Sequence, residues 1–202
     1  MSELRFADGI PDADAYLELE WLASEPYSRF VYGGEPQERK VARALLAAHA
    51  GEFAPPFGRA ILDRDGVTVA MVAGPLLKSD LARARFAAAR ALMKTPELIA
   101  GDVTVRSKAA QSALLRPNDG DAYLSRIAVR AECRGRGVAA FALESFLESA
   151  RQRGATRAVL EVSPEHQSAI RLYERFGFAP GEEHRAESEQ HVLVYRHMTR
   201  TL

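Results

Sequence analysis

Residues 123–147 read YLSRIAVRAECRGRGVAAFALESFL, and the hydrophobic period changes partway through. Residues 122–129 are an apolar run of strand length, and from Val138 the spacing becomes helical. Val138, Phe141, Ala142 and Phe146, with Ala139, Leu143, Leu147 and Ala150, form a broad apolar surface, while Glu144, Glu148 and Arg151 share what remains. Such a helix over 137–152 covers a sheet. Gly154 is suited to close it, and residues 158–162 return as a strand. A strand, a crossover helix and a neighbouring strand imply parallel pairing with a right-handed connection.

Downstream, Ala169, Leu172, Tyr173 and Phe176 fall at i, i+3, i+4 and i+7, so a second helix is expected, ended by Gly177. Residues 192–195 supply a last short strand, which makes the second half β-α-β-α-β with further parallel pairing. Upstream, residues 12–23 and 35–50 carry helical spacing, and the strand-like runs 60–62 and 67–73 flank Asp63-Arg64-Asp65-Gly66, whose Asp-Gly step suits a tight hairpin. A helix over 79–93 is expected with Ser79 as N-cap, and Thr95-Pro96-Glu97 starts another helical piece. Pro117-Asn118-Asp119-Gly120 marks a loop. The fold class that follows is α/β with a mixed sheet, parallel in the second half and antiparallel at the hairpin.

Composition bounds the rest. With 202 residues, 47% of them hydrophobic, the chain fits one domain over 1–202. Lysine plus arginine (27) equals aspartate plus glutamate (27), which gives no overall field to hold nucleic acid or a membrane surface. Cys133 is the only cysteine, so no internal disulfide forms, and no basic segment leads into an apolar run at the start. A reducing, cytoplasmic setting is expected. The five histidines show no metal-ligand spacing, and no metal is expected.

The chemistry is concentrated in Arg134-Gly135-Arg136-Gly137-Val138-Ala139, between a strand and a helix. Small residues there admit close backbone approach, and the first amides of a helix lack internal partners and can face an anion. Arg134 and Arg136 add charge-assisted donors. A pyrophosphate fits that description, although a glycine turn with solvated arginines has the same letters. The stretch is not a P-loop, since no Lys-Ser or Lys-Thr follows, and it lacks the third glycine of a dinucleotide fingerprint.

The quoted segment resembles the coenzyme A-binding segment of the GNAT superfamily of N-acetyltransferases, whose hallmark Q/R-x-x-G-x-G/A is matched by Arg134, Gly137 and Ala139. Residues 166–178, HQSAIRLYERFGF, resemble a second family stretch, N-x-x-A-x-x-x-Y-x-x-x-G-F, at Ala169, Tyr173, Gly177 and Phe178. His166 stands where the family usually has asparagine. The resemblance covers 122–180 in detail and implies a centrally splayed sheet. It also implies that acetyl-coenzyme A is held by Ile127, Ala128 and Val129 along the pantetheine arm, by the pyrophosphate loop Arg134, Gly135, Arg136, Gly137, Val138 and Ala139, and by His166. Tyr173 would then protonate the departing thiolate. Without the motif, Tyr173 reads first as a core tyrosine on an apolar helix face.

An alkylammonium of pKa near 10 is only about one part in a thousand neutral at pH 7, so a primary amine acceptor needs a base. The strand before the glycine loop offers Tyr123, Ser125 and Arg126 instead of the carboxylate some members carry there. Glu161, ending the next strand, resembles the base of the protein N-terminal acetyltransferase branch. A strand-end carboxylate facing water, or a water chain serving as base, remains the alternative. Cys133 lacks a partnered histidine and reads as a bystander. Arg83, Arg85 and Arg90 read as a solvated helix face. Residues 76–117 are too long for an ordinary loop and are expected to fold as helices beside the acceptor cleft. The expected partner is an amine-bearing small molecule or peptide, with no nucleic acid, no membrane and room for a homodimer. A non-catalytic acyl-coenzyme A sensing module, or a protein-interaction module of the same fold, is the alternative, and would need neither Tyr173 nor a base.

Overall fold

In the computed structural model, which describes residues 3–189 and 191–202, the order is β1 (Arg5–Phe6), α1 (Ala13–Tyr32), α2 (Glu35–Ala47), β2 (Gly58–Leu62), β3 (Thr68–Ala73), α3 (Lys78–Leu92), a 3₁₀ turn (Pro96–Ile99), α4 (Val103–Ala110), β4 (Asp121–Leu124), β5 (Arg126–Val129), a second 3₁₀ turn (Ala131–Cys133), α5 (Val138–Gln152), β6 (Arg157–Val162), α6 (Gln167–Arg175), β7 (Ala179–Glu187) and β8 (Val192–Thr201). The class is a mixed α/β domain.

The single strand expected over 122–129 is two. β4 pairs in parallel with β6, Leu124 opposite Leu160, while β5 pairs antiparallel with β3, Val129 opposite Ala70. Ser125 is the turning point, and its N–H already donates to Ala73 O at 2.9 Å. The sheets therefore separate, one ordered β1-β2-β3-β5 and the other β4-β6-β8-β7. Nothing in Leu124-Ser125-Arg126 announces the break, because each half continues as extended backbone and only its partner changes.

Two further expectations need correction. The last strand is not parallel to β6: β8 runs antiparallel to it, and β7, which the sequence reading lacked, forms the edge beyond β8. β7 reads APGEEHRAE and is exposed almost throughout, so it carries no apolar alternation to find. β8 also runs six residues past Tyr195, to Thr201, burying Leu193, Tyr195 and Met198. Ser79 does not cap α3. The helix starts one residue earlier, and Asp80 accepts the Leu77 N–H at 3.1 Å.

α1 begins where Asp12 Oδ1 accepts the Ala15 N–H at 3.0 Å and ends at Gly33, with φ of 79°. It runs nine residues beyond the expected end at 23, through Pro26. Proline inside a helix costs about 3 kcal/mol. Phe30 and Val31 offset that by burying completely against Val103, Leu193 and Tyr195, since each large apolar side chain contributes roughly 1.5–3 kcal/mol. In the hairpin, Asp63 Oδ1 accepts N–H from Asp65 and Val67, both at 3.0 Å, and Gly66 takes φ of 80°.

The apolar face of α5, through Val138, Ala142, Phe146 and Ala150, packs with Val72, Ala122, Ala158 and Leu160 into one core. On the opposite side, α1 and α2 bury Tyr16, Leu19, Val41 and Leu45 against Ala60, Met71 and Ala73. Helices thus cover both faces and leave the divergence of β4 and β5 as an opening between them. None of the described helices is long and apolar enough to cross a membrane.

Candidate active site

A cavity of about 780 Å³ lies between β5, the loop before α5, and α6. Ile127, Ala128 and Val129 form its wall along β5; Arg134, Gly135, Gly137, Val138 and Ala139 form its floor. His166 and Tyr173 reach it from the α6 side, and Cys133 also lines it. Arg136 is exposed and lies outside the lining. Of the ten residues the resemblance assigns to the cofactor, nine therefore surround one space.

The loop is shaped for close approach. Gly135 and Gly137 adopt φ of 72° and 81°, and a Cβ added to either would meet nothing within 4 Å, so both face open space. No side chain caps α5, and its first backbone bond from this end is Phe141 N–H to Gly137 O. The amides ahead of Phe141 are thus free to donate to an anion. Arg134 Nε donates to Val129 O at 3.3 Å, which lays its guanidinium along the strand end. β5 hydrogen-bonds to β3 on one side only, which leaves its other edge available to an extended arm. A bulky apolar and pyrophosphate-bearing ligand fits this space.

A narrower cleft of about 80 Å³ opens where β4 and β5 part, lined by Ser125, Ile127, Glu161, His166 and Tyr173 among others. It shares Ile127, His166 and Tyr173 with the larger cavity. Tyr173 packs edge-on against Phe178 with ring centroids 5.9 Å apart, and the residue lines both of these spaces. Burial pushes its phenol above the ordinary value, so it stays protonated at neutral pH and can donate.

Glu161 accepts the Leu115 N–H at 2.5 Å and the Tyr123 hydroxyl at 2.9 Å. Burial pushes its carboxyl up to about 7, against the lowering effect of those two donors. Its proton is therefore exchangeable near neutrality, which a solvated strand-end carboxylate would not show.

Beyond Glu161 lies a third cavity of about 330 Å³, enclosed by α1, α2, α3 and α4. The helical connection expected over 76–117 supplies part of its wall, through Arg85, Leu92, Ser107 and Leu114. Arg85 does not belong to a solvated face: its Nε donates to Glu52 Oε1 at 2.8 Å inside the cavity. Burial opposes the charge of Glu52, but Arg85, Arg126 and the Ser125 hydroxyl (2.7 Å) hold its carboxyl below the usual range. Arg126 Nε donates to Glu20 Oε1 at 3.4 Å. Glu38 stands beside Glu20, and burial together with that neighbour drives it far above the ordinary carboxylate value. Sequence reasoning missed this group. Glu20 follows Tyr16 by four residues and Glu38 precedes Val41 by three, so each carboxylate interrupts an apolar stripe, and that interruption was the available signal.

The three spaces adjoin one another, with Arg126, Glu161 and Tyr195 lining both the narrow cleft and the third cavity. The change of sheets between β4 and β5 thus sets an open strand edge and a glycine loop at a helix start around one cavity, within an α/β fold. The chain belongs to the acetyltransferase (GNAT) family, which matches it over residues 14–178. It is 39% identical over 66 residues to the uncharacterized N-acetyltransferase YobR of Bacillus subtilis, a stretch that makes up 33% of this chain and 27% of that relative. The chain thus spans about a quarter of the curated relative it matches. Among solved structures, an N-acetyltransferase from Staphylococcus aureus Mu50 superposes with a TM-score of 0.65 at 16% identity, covering 98% of this chain and all of that one. A Bacillus subtilis acetyltransferase in complex with CoA superposes at 0.53 with 11% identity, covering all of this chain and 99% of that one. At these identities the structures show the shared fold.

Proposed function

We propose that the chain is an N-acetyltransferase that moves an acetyl group from acetyl-coenzyme A directly to a primary amine, both substrates being bound together. The observation that carries this is a narrow cleft lined by both Glu161 and Tyr173, which shares lining residues with the 780 Å³ cavity and with the 330 Å³ cavity. Acetyl-coenzyme A supplies an activated carbonyl whose sulfur is displaced. The free α5 amides and Arg134 bind the pyrophosphate, and the open edge of β5 pairs with the pantetheine arm. His166, exposed at the mouth, has a ring nitrogen to offer the cofactor in place of the family asparagine.

Glu161 accepts a proton from the ammonium acceptor and so frees the nitrogen lone pair. The nitrogen bonds the acetyl carbon, the carbon–sulfur bond breaks, and Tyr173 hydrogen-bonds the charge developing on sulfur and gives it a proton. The acylated nitrogen sheds its second proton, which restores the Tyr173 phenol, and Glu161 passes the first to solvent, so one ammonium and one thioester become one amide, one thiol and one proton in solution. A tyrosine held protonated and a carboxylate that exchanges its proton near neutrality suit those two tasks. A non-catalytic sensing module has no use for either group at this position.

The decisive experiment is thiol release from acetyl-coenzyme A across a panel of primary amines, amino-sugars and peptides. Acceptor-dependent release is the expected result. Tight cofactor binding with no release for any acceptor would contradict the proposal.

A further inference from the structure

The 330 Å³ cavity contains four carboxylates, Glu20, Glu38, Glu52 and Glu161, and two guanidiniums, Arg85 and Arg126. The cations are already committed, Arg85 to Glu52 and Arg126 to Glu20. Glu38 on α2 and Glu161 on β6 are left without a cation, and of the two only Glu161 also lines the narrow cleft. Glu20 and Glu38 are each only 3% exposed, and in each of them one oxygen, Oε2, is buried with no hydrogen-bond partner. Burying an unsatisfied carboxylate oxygen is costly, and two adjacent ones are costlier still unless a proton or a cation lies between them. The other charged groups facing Glu38 are Arg126 from β5 and Arg39 from its own helix, and Arg39 is held by Glu35 at 2.7 Å. Tyr27, Tyr32 and Tyr195 line the same cavity.

An ammonium has three donors and no acceptor, which is the complement of two orphaned carboxylate oxygens. Two carboxyls without a cation, Glu38 from α2 and Glu161 from β6, line one cavity and suit a molecule bearing two such groups. A volume of about 330 Å³ is at the lower end of small-molecule sites, which run ~300–1,000 Å³, so the molecule is short. We propose that the acceptor is a small aliphatic diamine whose far ammonium is held between Glu20 and Glu38 while its near amine meets Glu161 at the cleft. The inference rests on the acyl-transfer reading for the role of Glu161, and it deepens that reading by naming the substrate class. The alternative occupant of the Glu20–Glu38 contact is a shared proton, which would leave the pair a structural device indifferent to the acceptor.

The test is calorimetric titration of the full chain with 1,4-diaminobutane and 1,6-diaminohexane, each compared with butylamine and hexylamine, in two buffers of different ionisation enthalpy. The diamines are expected to bind about tenfold to a hundredfold more tightly than the monoamines of equal length, as a second charge-assisted contact implies. They should also release a proton as the ammonium replaces it between the carboxyls. In Glu38→Gln, a neutral isostere, the ratio of diamine to monoamine affinity should fall to within about threefold. Equal diamine and monoamine affinities in the unaltered chain, diamine binding without proton release, or a ratio undiminished in folded Glu38→Gln would each overturn the inference. So would a peptide acceptor that outcompetes every diamine. Thiol release measured in parallel separates the two levels: monoamines acetylated as well as diamines would sink the diamine inference alone, whereas diamines that bind tightly but never release thiol would sink the acyl-transfer reading alone.

Discussion

Around the cavity assigned to the cofactor, the wall is mostly backbone and small side chains: the edge of β5, Gly135, Gly137, and amides at the start of α5. Around the cavity assigned to the acceptor, it is side-chain charge and hydroxyl, with Glu20, Glu38, Glu52, Glu161, Arg85 and Arg126 drawn from α1, α2, α3, β5, β6 and the segment before β2. Backbone recognition tolerates changes of side chain but not of shape. Charge recognition tolerates neither the loss of a partner nor the insertion of a new charge. The two sides should therefore fail differently under mutation, and the residues between them should fail in a third way.

The largest effect is expected between the two cavities, at Tyr173. Phenylalanine keeps the ring that packs on Phe178 and removes only the hydroxyl, so stability and acetyl-coenzyme A affinity should stay near normal. Turnover should fall by ~10² to 10⁴, the usual loss when a general acid is removed. Retained turnover with an active acceptor would make Tyr173 purely structural.

On the backbone side, Gly137→Asp places a carboxylate where only open space lies, at φ of 81°, in front of the free amides. The αL strain is of order 1–2 kcal/mol, which the fold should survive. Coenzyme A affinity measured by calorimetry should drop about a hundredfold, through repulsion of the pyrophosphate and occupation of its donors. Unchanged affinity in the folded variant would remove the loop from the binding site.

The smallest effect expected is on stability, at Glu161. Its folded carboxyl, at about 7, lies above the ordinary value of 4.5. The native state thus holds this proton more tightly than the unfolded chain, a contribution fully present below pH 4.5 and lost as pH rises through 7. Glu161→Gln, which keeps an acceptor for Leu115 N–H and needs no charge, should be more stable than the unaltered chain at pH 8 by about 1–3 kcal/mol and indistinguishable near pH 4.5. Denaturant titrations at the two pH values measure the difference. Equal gains at both would point to packing instead of charge.

The same contrast explains what could be read from the sequence. α5 and its glycine loop were legible because helical period, free amides and small residues are local, and they fall within nineteen residues of chain, 134–152. Tyr173 and Glu161 could be named, but their meeting in one cleft depends on the break at Ser125, where the residues look the same whether or not the partner strand changes. β7 was invisible because an exposed edge strand such as APGEEHRAE owes its place to the hydrogen bonds of β8 and not to its own pattern. The acceptor wall was invisible as a unit because Glu20, Glu38, Glu52, Arg85, Arg126 and Glu161 are scattered over more than 140 positions and acquire meaning only when six segments pack. Pro26 was a local signal that the fold overrode, through the burial of Phe30 and Val31.

The most direct test of Glu161 and Tyr173 as a proton relay between two cavities is the pH dependence of kcat/KM for a primary amine, in the unaltered chain and in Glu161→Gln. With a carboxylate of pKa about 7 accepting the amine proton, kcat/KM should climb through pH 7 and then level off. Without that carboxylate the reaction depends on amine already neutral in solution, so the variant should be slowest near neutrality and keep rising about tenfold per pH unit toward the amine pKa near 10, narrowing the gap. Two profiles of the same shape and height would contradict the assignment of Glu161 as the base.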